Sequence, residues 1–215
     1  MRFIQKTETP QFFLEDIEGL ENWNDYFSHD KRTLKTHILQ NEQNYLCVYC
    51  ESKVSEQSSH IEHIKPKETY ASLTFEYSNL SVSCNGTCHN IDPDRTHHSC
   101  GHRKNNEYDE NKFLDPTKIE NIREYFIYSH DENDHIKIQP SDKDKAKAEY
   151  MIDTLRLNDD SLAKARKNTL VAFQNSLRNI KDINKRKQKI RQILEQENKP
   201  FISFLVYKYK PLAAK

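Results

Sequence analysis

The ten residues SSHIEHIKPK, at positions 58–67, place two imidazoles and a carboxylate within four consecutive positions. Imidazole exchanges protons near neutral pH, and imidazole and carboxylate both bind divalent metal ions. His60, Glu62 and His63 could therefore perform acid–base and metal chemistry together. A polar edge strand is the alternative interpretation, in which each of the three is an ordinary surface residue.

Five cysteines lie within one third of the chain and offer a second site for chemistry. In a reducing compartment, an odd number of clustered cysteines favours a metal site over disulfides. Cys47 and Cys50 form a C-x-x-C knuckle, and Cys84 and Cys100 are the matching second pair. Four thiolates suit a structural zinc ion that clamps two segments of the chain. Cys88 competes with Cys100, because Cys84 and Cys88 are also spaced as a half-site.

The motifs follow one another in a distinctive order. They are C-x-x-C at 47–50, Glu62-His63-Ile64-Lys65-Pro66, Asn79-Leu80, Ser83-Cys84 and Cys100-Gly101-His102-Arg103-Lys104. This order resembles the HNH (ββα-metal) nucleases. More closely, it resembles the PtuB nuclease subunits of the Septu anti-phage system, which also occur in retron-associated Septu modules. The resemblance spans roughly residues 20–170.

The resemblance implies one active site assembled from these motifs. Cleaving a phosphodiester needs an activated water and a cation on the phosphate. His63 matches the family's general base, and Glu62 is a natural ligand for Mg²⁺ or Mn²⁺. His102 occupies the last position of the motif and would be a second ligand, slightly favouring Mn²⁺ over Mg²⁺. Asn79 would hydrogen-bond the backbone across the hairpin loop and hold His63 in position.

Two features leave the ligand assignment open. Residues 85–99 are an insert relative to the family pattern. Four of its side chains can replace an assigned ligand: Cys88, His89, His97 and His98. In many HNH enzymes the final ligand directly follows the last cysteine, and that position here is Gly101. We expect a tight turn at Gly101, which directs backbone N–H groups at the neighbouring thiolate.

The strand that carries Glu62 and His63 sets a further requirement. On an ideal strand these two side chains point to opposite faces. They can share one site only if the strand ends there, and Pro66 indicates such an end. His60 lies on the same side of the strand as Glu62, and we interpret it as a structural partner of that carboxylate.

Charge is divided unevenly along a chain whose net charge is zero. Residues 143–215 carry 18 Lys and Arg against 8 Asp and Glu, whereas residues 1–142 carry 15 against 25. By resemblance, Arg103 and Lys104 contact the phosphate backbone of nucleic acid; a solvated charge pair is the alternative. The basic stretch 185–191 either supplies further phosphate contacts or forms a solvated helix face.

An acidic nuclease region implies help in holding a nucleic-acid substrate. The Septu resemblance supplies a candidate partner, an ABC-like ATPase subunit of the PtuA type. The sequence has no G-x-x-x-x-G-K-[ST] motif, so nucleotide chemistry must come from elsewhere. We interpret the chain as a metal-dependent HNH endonuclease of a Septu-type complex. The alternative is a non-catalytic zinc-knuckle adaptor that binds nucleic acid or protein.

The elements around these motifs predict an α+β fold, and the resemblance implies a zinc-stapled ββα-metal core. We divide the chain into an N-terminal helical segment (1–43), the nuclease core (44–142) and a basic C-terminal helical region (143–215). In the N-terminal segment, Gly19 breaks one helical stretch, and Asp30 is the expected N-cap of the next helix.

The rest of the chain carries clearer patterns. EYFIYS and HIKIQP predict a β-hairpin joined by the polar turn HDENDH. Three C-terminal stretches have helical periodicity: AEYMIDTLRL, SLAKARKNTLVAFQNSLRNIK and DINKRKQKIRQILEQ. The residues Leu157-Asn158-Asp159-Asp160 are the expected stop and restart between the first two. The tail FISFLVYKY fits a short strand or a helix equally well.

The sequence also bears on location. No apolar run approaches the ~20 residues that a membrane helix needs. The first residues, MRFIQKTETPQFF, do not have the layout of a signal peptide. We therefore expect a cytoplasmic protein without a membrane segment.

Overall fold

The computed structural model describes residues 1–86 and 99–214, the last two of these for their backbone only. It contains both helices and strands, which confirms the mixed composition predicted from the sequence. The α-helices are α1 (Gln11–Asp16), α2 (Ser28–Ile38), α3 (Cys100–Lys104), α4 (Lys145–Thr154), α5 (Asp160–Leu177), α6 (Ile183–Glu195) and α7 (Ile202–Ala214). The strands are β1 (Ser59–His63), β2 (Leu80–Cys84), β3 (Phe126–His130) and β4 (Ile136–Pro140).

The N-terminal helices differ slightly from the prediction. Helix α2 begins at Ser28 with Phe27 as its N-cap, so the prediction that Asp30 caps this helix is wrong. Asp30 lies instead in the first turn, where its carboxylate still interacts favourably with the helix dipole. The helix continues into a π-helical turn at Leu39–Gln43.

The first sheet consists of β1 and β2, which pair antiparallel. His60 lies opposite Ser83, and Glu62 lies opposite Ser81. Directly opposed residues share a face of the sheet, so two small serines stand beside the imidazole and the carboxylate. The short helix α3 packs on β2, and the N–H of Gly101 donates to Ser83 Oγ at 3.0 Å. Small residues on β2 thus let the backbone of α3 approach β1.

The second sheet is the predicted hairpin of β3 and β4. Its turn is organised by Asp131, whose carboxylate accepts hydrogen bonds from the backbone N–H groups of Asn133 and His135, at 3.0 and 2.9 Å. Such side-chain-to-backbone bonds stabilise tight turns. The hairpin contacts helices α4, α5 and α7.

Helices α5 and α6 each begin with an aspartate N-cap. The Asp159 carboxylate accepts from the N–H of Ser161 at the start of α5, and Asp182 caps α6 in the same way. The ambiguous tail is helical: Ile202, Leu205 and Tyr209 are buried, at spacings that put them on one face of α7. Within the described part of the chain, no helix combines the length and apolar character needed to cross a membrane. The division of the chain at residues 43 and 142 stays a prediction.

Candidate active site and metal centre

Four cysteines lie together in the interior, as the sequence predicted. The sulfur atoms of Cys47, Cys50, Cys84 and Cys100 all lie within 4.8 Å of one another, and all four residues are buried. Zinc–sulfur bonds of ~2.3 Å in a tetrahedron place the sulfurs about 3.8 Å apart, so the donor set fits one zinc ion. The knuckle, the end of β2 and the start of α3 meet at this cluster. The competing ligand Cys88 lies outside the described residues.

The protein backbone and the neighbouring thiols favour the thiolate form of Cys47, whereas hydrogen bonds with Cys47 and Cys50 raise the pKa of Cys100 and, against the opposing contact with Cys100, that of Cys84. The N–H of Cys84 donates to Cys47 Sγ at 3.3 Å, and the N–H of Ser52 donates to Cys50 Sγ at 3.4 Å. Burial would raise the pKa of Cys47, but hydrogen bonds from Cys100, Cys50 and Cys84 outweigh it and lower that pKa. Backbone donors of this kind are the support that a structural zinc site requires.

The Glu62 carboxylate is buried and held by three side chains. Its Oε1 accepts from the hydroxyl of Tyr49 at 3.0 Å and lies 2.9 Å from the ammonium of Lys104. Its Oε2 lies 3.3 Å from His60 Nε2. Burial alone would raise the pKa of Glu62, but His60 and the Lys104 charge outweigh it and hold the pKa below its usual value. Glu62 is therefore ionised at neutral pH.

His63 ends β1, and one of its nitrogens is fixed by the backbone. Its Nε2 lies 3.0 Å from the carbonyl oxygen of Thr74, and the Trp23 ring packs edge-on at 4.6 Å between centroids. Because a carbonyl oxygen only accepts, Nε2 carries the hydrogen, and Nδ1 of the neutral ring holds a lone pair. Burial lowers the pKa of His63, and the Thr74 and Glu62 contacts oppose this only in part. The ring is therefore neutral at pH 7.

Asn79 makes backbone contacts of the kind expected from the sequence. Its Oδ1 accepts from the N–H of Lys65 at 2.8 Å, and its Nδ2 donates to the carbonyls of Lys65 and Leu73, at 3.0 and 3.2 Å. Its own carbonyl accepts from the N–H of Ile64 at 2.9 Å. These bonds fix the chain where it leaves β1, directly after His63.

Replacing Asn79 with alanine should therefore loosen the site without touching its chemistry. Removing three bonds to buried or half-buried backbone groups should lower the free energy of unfolding by about 1–3 kcal/mol. Chemical denaturation followed by circular dichroism measures this change. Asn79→Asp keeps the acceptor to Lys65 but sets a buried carboxylate oxygen against the carbonyl oxygens of Lys65 and Leu73, so it should be at least as destabilised as the alanine variant. Equal stability of all three would show that these contacts do not hold the loop.

His102 lies beside His60, with its ring face on the ring face of that residue. The two centroids are 4.1 Å apart and the planes are inclined by 9°. His102 is exposed, whereas His60 is half-buried. The prediction that His102 binds the catalytic ion stays a prediction. Three of the alternatives lie outside the described residues: His89, His97 and His98.

The two basic residues after His102 have different environments. Lys104 is only 1% exposed, and besides Glu62 its ammonium contacts the carbonyl oxygen of His63 at 3.1 Å. It neutralises the buried carboxylate and is not placed to reach a phosphate, so the expected contact with nucleic acid falls to Arg103. Arg103 is exposed on the outer side of α3.

These side chains surround an open cleft of about 320 Å³. It is lined by His60, Ile61, Glu62, His63, Pro66, Lys67, Gly101, His102, Asn105 and Asn106. Three of the predicted site residues, Glu62, His63 and His102, thus open onto one space. A neighbouring groove of about 310 Å³ runs along the end of α3 past Arg103.

Sequence reasoning missed two residues that shape this site, Tyr49 and Trp23, and gave a third, Lys104, a different role. Tyr49 and Lys104 hold Glu62, and Trp23 packs on His63. Tyr49 sits inside the C-x-x-C knuckle, so its position next to the metal ligands was a usable indication. Trp23 lies 40 positions before His63, and no local pattern links the two.

Comparisons with known proteins find relatives among HNH endonucleases. A family described as HNH endonuclease matches residues 47–95. The chain is 34% identical over 152 residues to the candidate HNH endonuclease of retron Vc95 from Vibrio cholerae serotype O1 biovar El Tor, covering 66% of this chain and 68% of that protein. It is 26% identical over 213 residues to the candidate HNH endonuclease of retron Ec83 from Escherichia coli, covering 83% and 82%. Septu protein PtuB from Bacillus thuringiensis is 38% identical over 69 residues, covering 31% and 26%.

Proposed function

Because this chain belongs to the family of HNH endonucleases, we propose that it hydrolyses phosphodiester bonds of nucleic acid as the nuclease component of a Septu-type anti-phage defence complex. The observation that carries the proposal is that the neutral His63 ring and the ionised Glu62 carboxylate open onto the same cleft. The partial match to Septu protein PtuB supports the link to that kind of system.

His63 is our candidate for the general base. Its Nε2–H is directed at the Thr74 carbonyl, which leaves the lone pair of Nδ1 to take a proton from the attacking water. A base is most effective when it is unprotonated at the working pH, and burial keeps His63 in that form. Trp23 and the hydrogen bond to Thr74 together restrict rotation of the ring.

Glu62 is our candidate ligand for a catalytic Mg²⁺ or Mn²⁺ ion. When bound, such an ion polarises the phosphate and stabilises the departing oxygen. Tyr49 and Lys104 engage Oε1, so Oε2 is the oxygen available to an ion. Carboxylate oxygen is the ligand that these hard cations prefer. The four cysteines are proposed to hold a separate structural zinc ion, and their reduced state suits the cytoplasm.

An ABC-like ATPase subunit of the PtuA type is the proposed partner. The region that contains the cleft is acidic overall, which disfavours tight binding of nucleic acid by this chain alone. A partner that binds nucleic acid would offset this repulsion and could also control cleavage. Nucleotide hydrolysis in the proposed complex would come from such a partner, because this sequence has no P-loop motif.

Co-expression of the chain with a neighbouring ATPase, followed by a nuclease assay, tests the proposal. We expect the two proteins to purify together and to cut plasmid, single-stranded DNA or tRNA with Mn²⁺ or Mg²⁺, and not with EDTA. Failure to cut any of these substrates with either ion would contradict the nuclease proposal. Equal cleavage with and without the ATPase would contradict the partnership and favour a nuclease that acts alone.

Arg103→Gln should weaken nucleic-acid binding without changing the chemistry. Loss of one phosphate contact lowers affinity by a similar factor for all sequences and reduces the slope of log affinity against log salt by about 1. Binding of the complex to a labelled oligonucleotide, measured by fluorescence anisotropy at several salt concentrations, gives this slope. Lys118→Gln is the matched control, because Lys118 is exposed and does not line either groove. An unchanged slope for Arg103→Gln would remove Arg103 from the interface.

A further inference from the structure

His60 and Glu62 present two ligand atoms to each other across a short gap. They are alternate residues of β1, so the strand directs both side chains to one face. His60 Nε2 and Glu62 Oε2 lie 3.3 Å apart, and both residues line the cleft. The other carboxylate oxygen is engaged by Tyr49 and Lys104.

The orientation of the His60 ring follows from its other neighbour. Its Nδ1 lies 3.1 Å from Asn85 Oδ1. The amide of Asn85 is oriented by its Nδ2, which donates to the carbonyl of Gln57 at 3.3 Å, so the oxygen faces His60. An amide oxygen only accepts, so His60 Nδ1 donates to Asn85, and Nε2 is the nitrogen that faces Glu62. The 3.3 Å gap between Nε2 and Oε2 is bridged by a proton in a hydrogen bond, and a metal cation can take the place of that proton.

The spacing fits a metal ion. Ligand bonds of ~2.1 Å separate two adjacent ligand atoms by about 3.0 Å in an octahedron and about 3.4 Å in a tetrahedron. The observed 3.3 Å between Nε2 and Oε2 lies between these values. A site with one imidazole and one carboxylate also suits Mn²⁺, which accepts both ligand types.

Gly101 keeps this pair in place by having no side chain. A Cβ atom at position 101 would lie 2.3 Å from Glu62 Oε2 and 2.7 Å from His60 Nε2. The backbone of Gly101 is not in the left-handed region, so the residue is not needed for a turn. What requires glycine is the close approach of α3 to the two ligand atoms. This corrects the expectation of a tight turn that serves the neighbouring thiolate.

The stacking of His102 on His60 excludes a shared ion in this arrangement. An imidazole binds a metal in the plane of its ring, along the nitrogen lone pair. The two ring planes are inclined by only 9°, with centroids 4.1 Å apart. Lone pairs in two nearly parallel planes do not converge on one point.

We infer that His60, together with Glu62, binds the catalytic divalent ion of the proposed nuclease, and that His102 orients the His60 ring by stacking on its face. The catalytic role of the ion rests on the proposed function, but ion binding by His60 and Glu62 can be measured without any substrate. His102 is then a positioning residue, and a flat ring without nitrogen can replace it.

Titration of Mn²⁺ into the purified, zinc-loaded chain tests the inference, with free Mn²⁺ followed by electron paramagnetic resonance. We expect His60→Ala to weaken Mn²⁺ binding by about tenfold or more. Gly101→Ala should do the same while zinc content stays at the level of the unmodified chain. His102→Phe should bind Mn²⁺ as the unmodified chain does, because phenylalanine preserves the stack. His130→Ala is the matched control, since His130 pairs with the carboxylate of Asp134 at an exposed site.

The outcomes separate the two proposals. Loss of Mn²⁺ binding in His102→Phe, with retention in His60→Ala, would assign the ligand to His102 and overturn the inference. If His60→Ala does not fold, His60→Gln takes its place, judged by the same titration. Mn²⁺ binding as expected without cleavage of any nucleic acid would leave the ion site intact and contradict the proposed function. Cleavage of nucleic acid by a His60→Ala variant that binds Mn²⁺ normally would contradict the assignment of His60 as a ligand and leave the proposed function intact.

Discussion

Replacing His63 with alanine should reduce the rate of nucleic-acid cleavage by about 10²–10⁴-fold, the contribution usual for a general base. The variant loses an imidazole in the cleft whose pKa is lowered by burial and whose second nitrogen is fixed by the Thr74 carbonyl. Single-turnover cleavage with saturating Mn²⁺ measures the chemical step. Zinc content and Mn²⁺ affinity should stay unchanged, because His63 contributes to neither proposed site.

His63→Gln separates the chemical role from the packing role. The glutamine amide can still donate to the Thr74 carbonyl and contact Trp23, but it cannot take a proton. We expect the same loss of rate as for alanine, with a smaller loss of stability. His130→Ala, which changes an exposed histidine away from the cleft, should cut at the normal rate. A His63→Gln variant that cuts normally would exclude His63 as the base.

The sequence predicted those parts of the protein whose residues lie close together along the chain, or whose residue types have strict preferences as metal ligands, turn residues or helix caps. The C-x-x-C spacing of Cys47 and Cys50 is typical of two ligands of one metal ion, and Cys84 and Cys100 complete the predicted set of four. The hairpin and the start of α5 were predicted because turn and cap residues act on their immediate neighbours. Local rules of this kind need no knowledge of the tertiary fold.

The parts that were not predicted depend on which segments pack together. Lysine is usually a surface residue. Lys104 nevertheless lies buried, because α3 packs against β2 and brings the Lys104 ammonium to Glu62. A buried lysine is tolerated only when paired, and the pairing cannot be read from positions 42 residues apart. For the same reason His60 looked like a partner of Glu62 rather than a ligand: the space that Gly101 leaves beside it exists only in the folded chain.

Removing one zinc ligand is the second change that should have a large effect, and its direct consequence should be a loss of folding stability. Cys50→Ser leaves three thiolates for an ion that needs four ligands, and structural zinc sites contribute on the order of several kcal/mol to folding. In a chain of this size such a loss lowers the midpoint of thermal unfolding by about 10–20 °C. Differential scanning calorimetry and elemental analysis of zinc measure the two consequences together. Unchanged zinc content and midpoint would contradict the assignment of Cys50.

The active site should fail together with the zinc site, because the same segments build both. Cys84 ends β2, whose first residue pairs with His63, and Cys100 begins α3, whose second residue approaches Glu62. A Cys50→Ser chain that is still partly folded should therefore lose Mn²⁺ affinity and cleavage as well as zinc. Cys88→Ser is the matched control and should keep all three properties. Loss of zinc in Cys88→Ser would place that residue in the ligand set and remove one of the four cysteines now assigned to it.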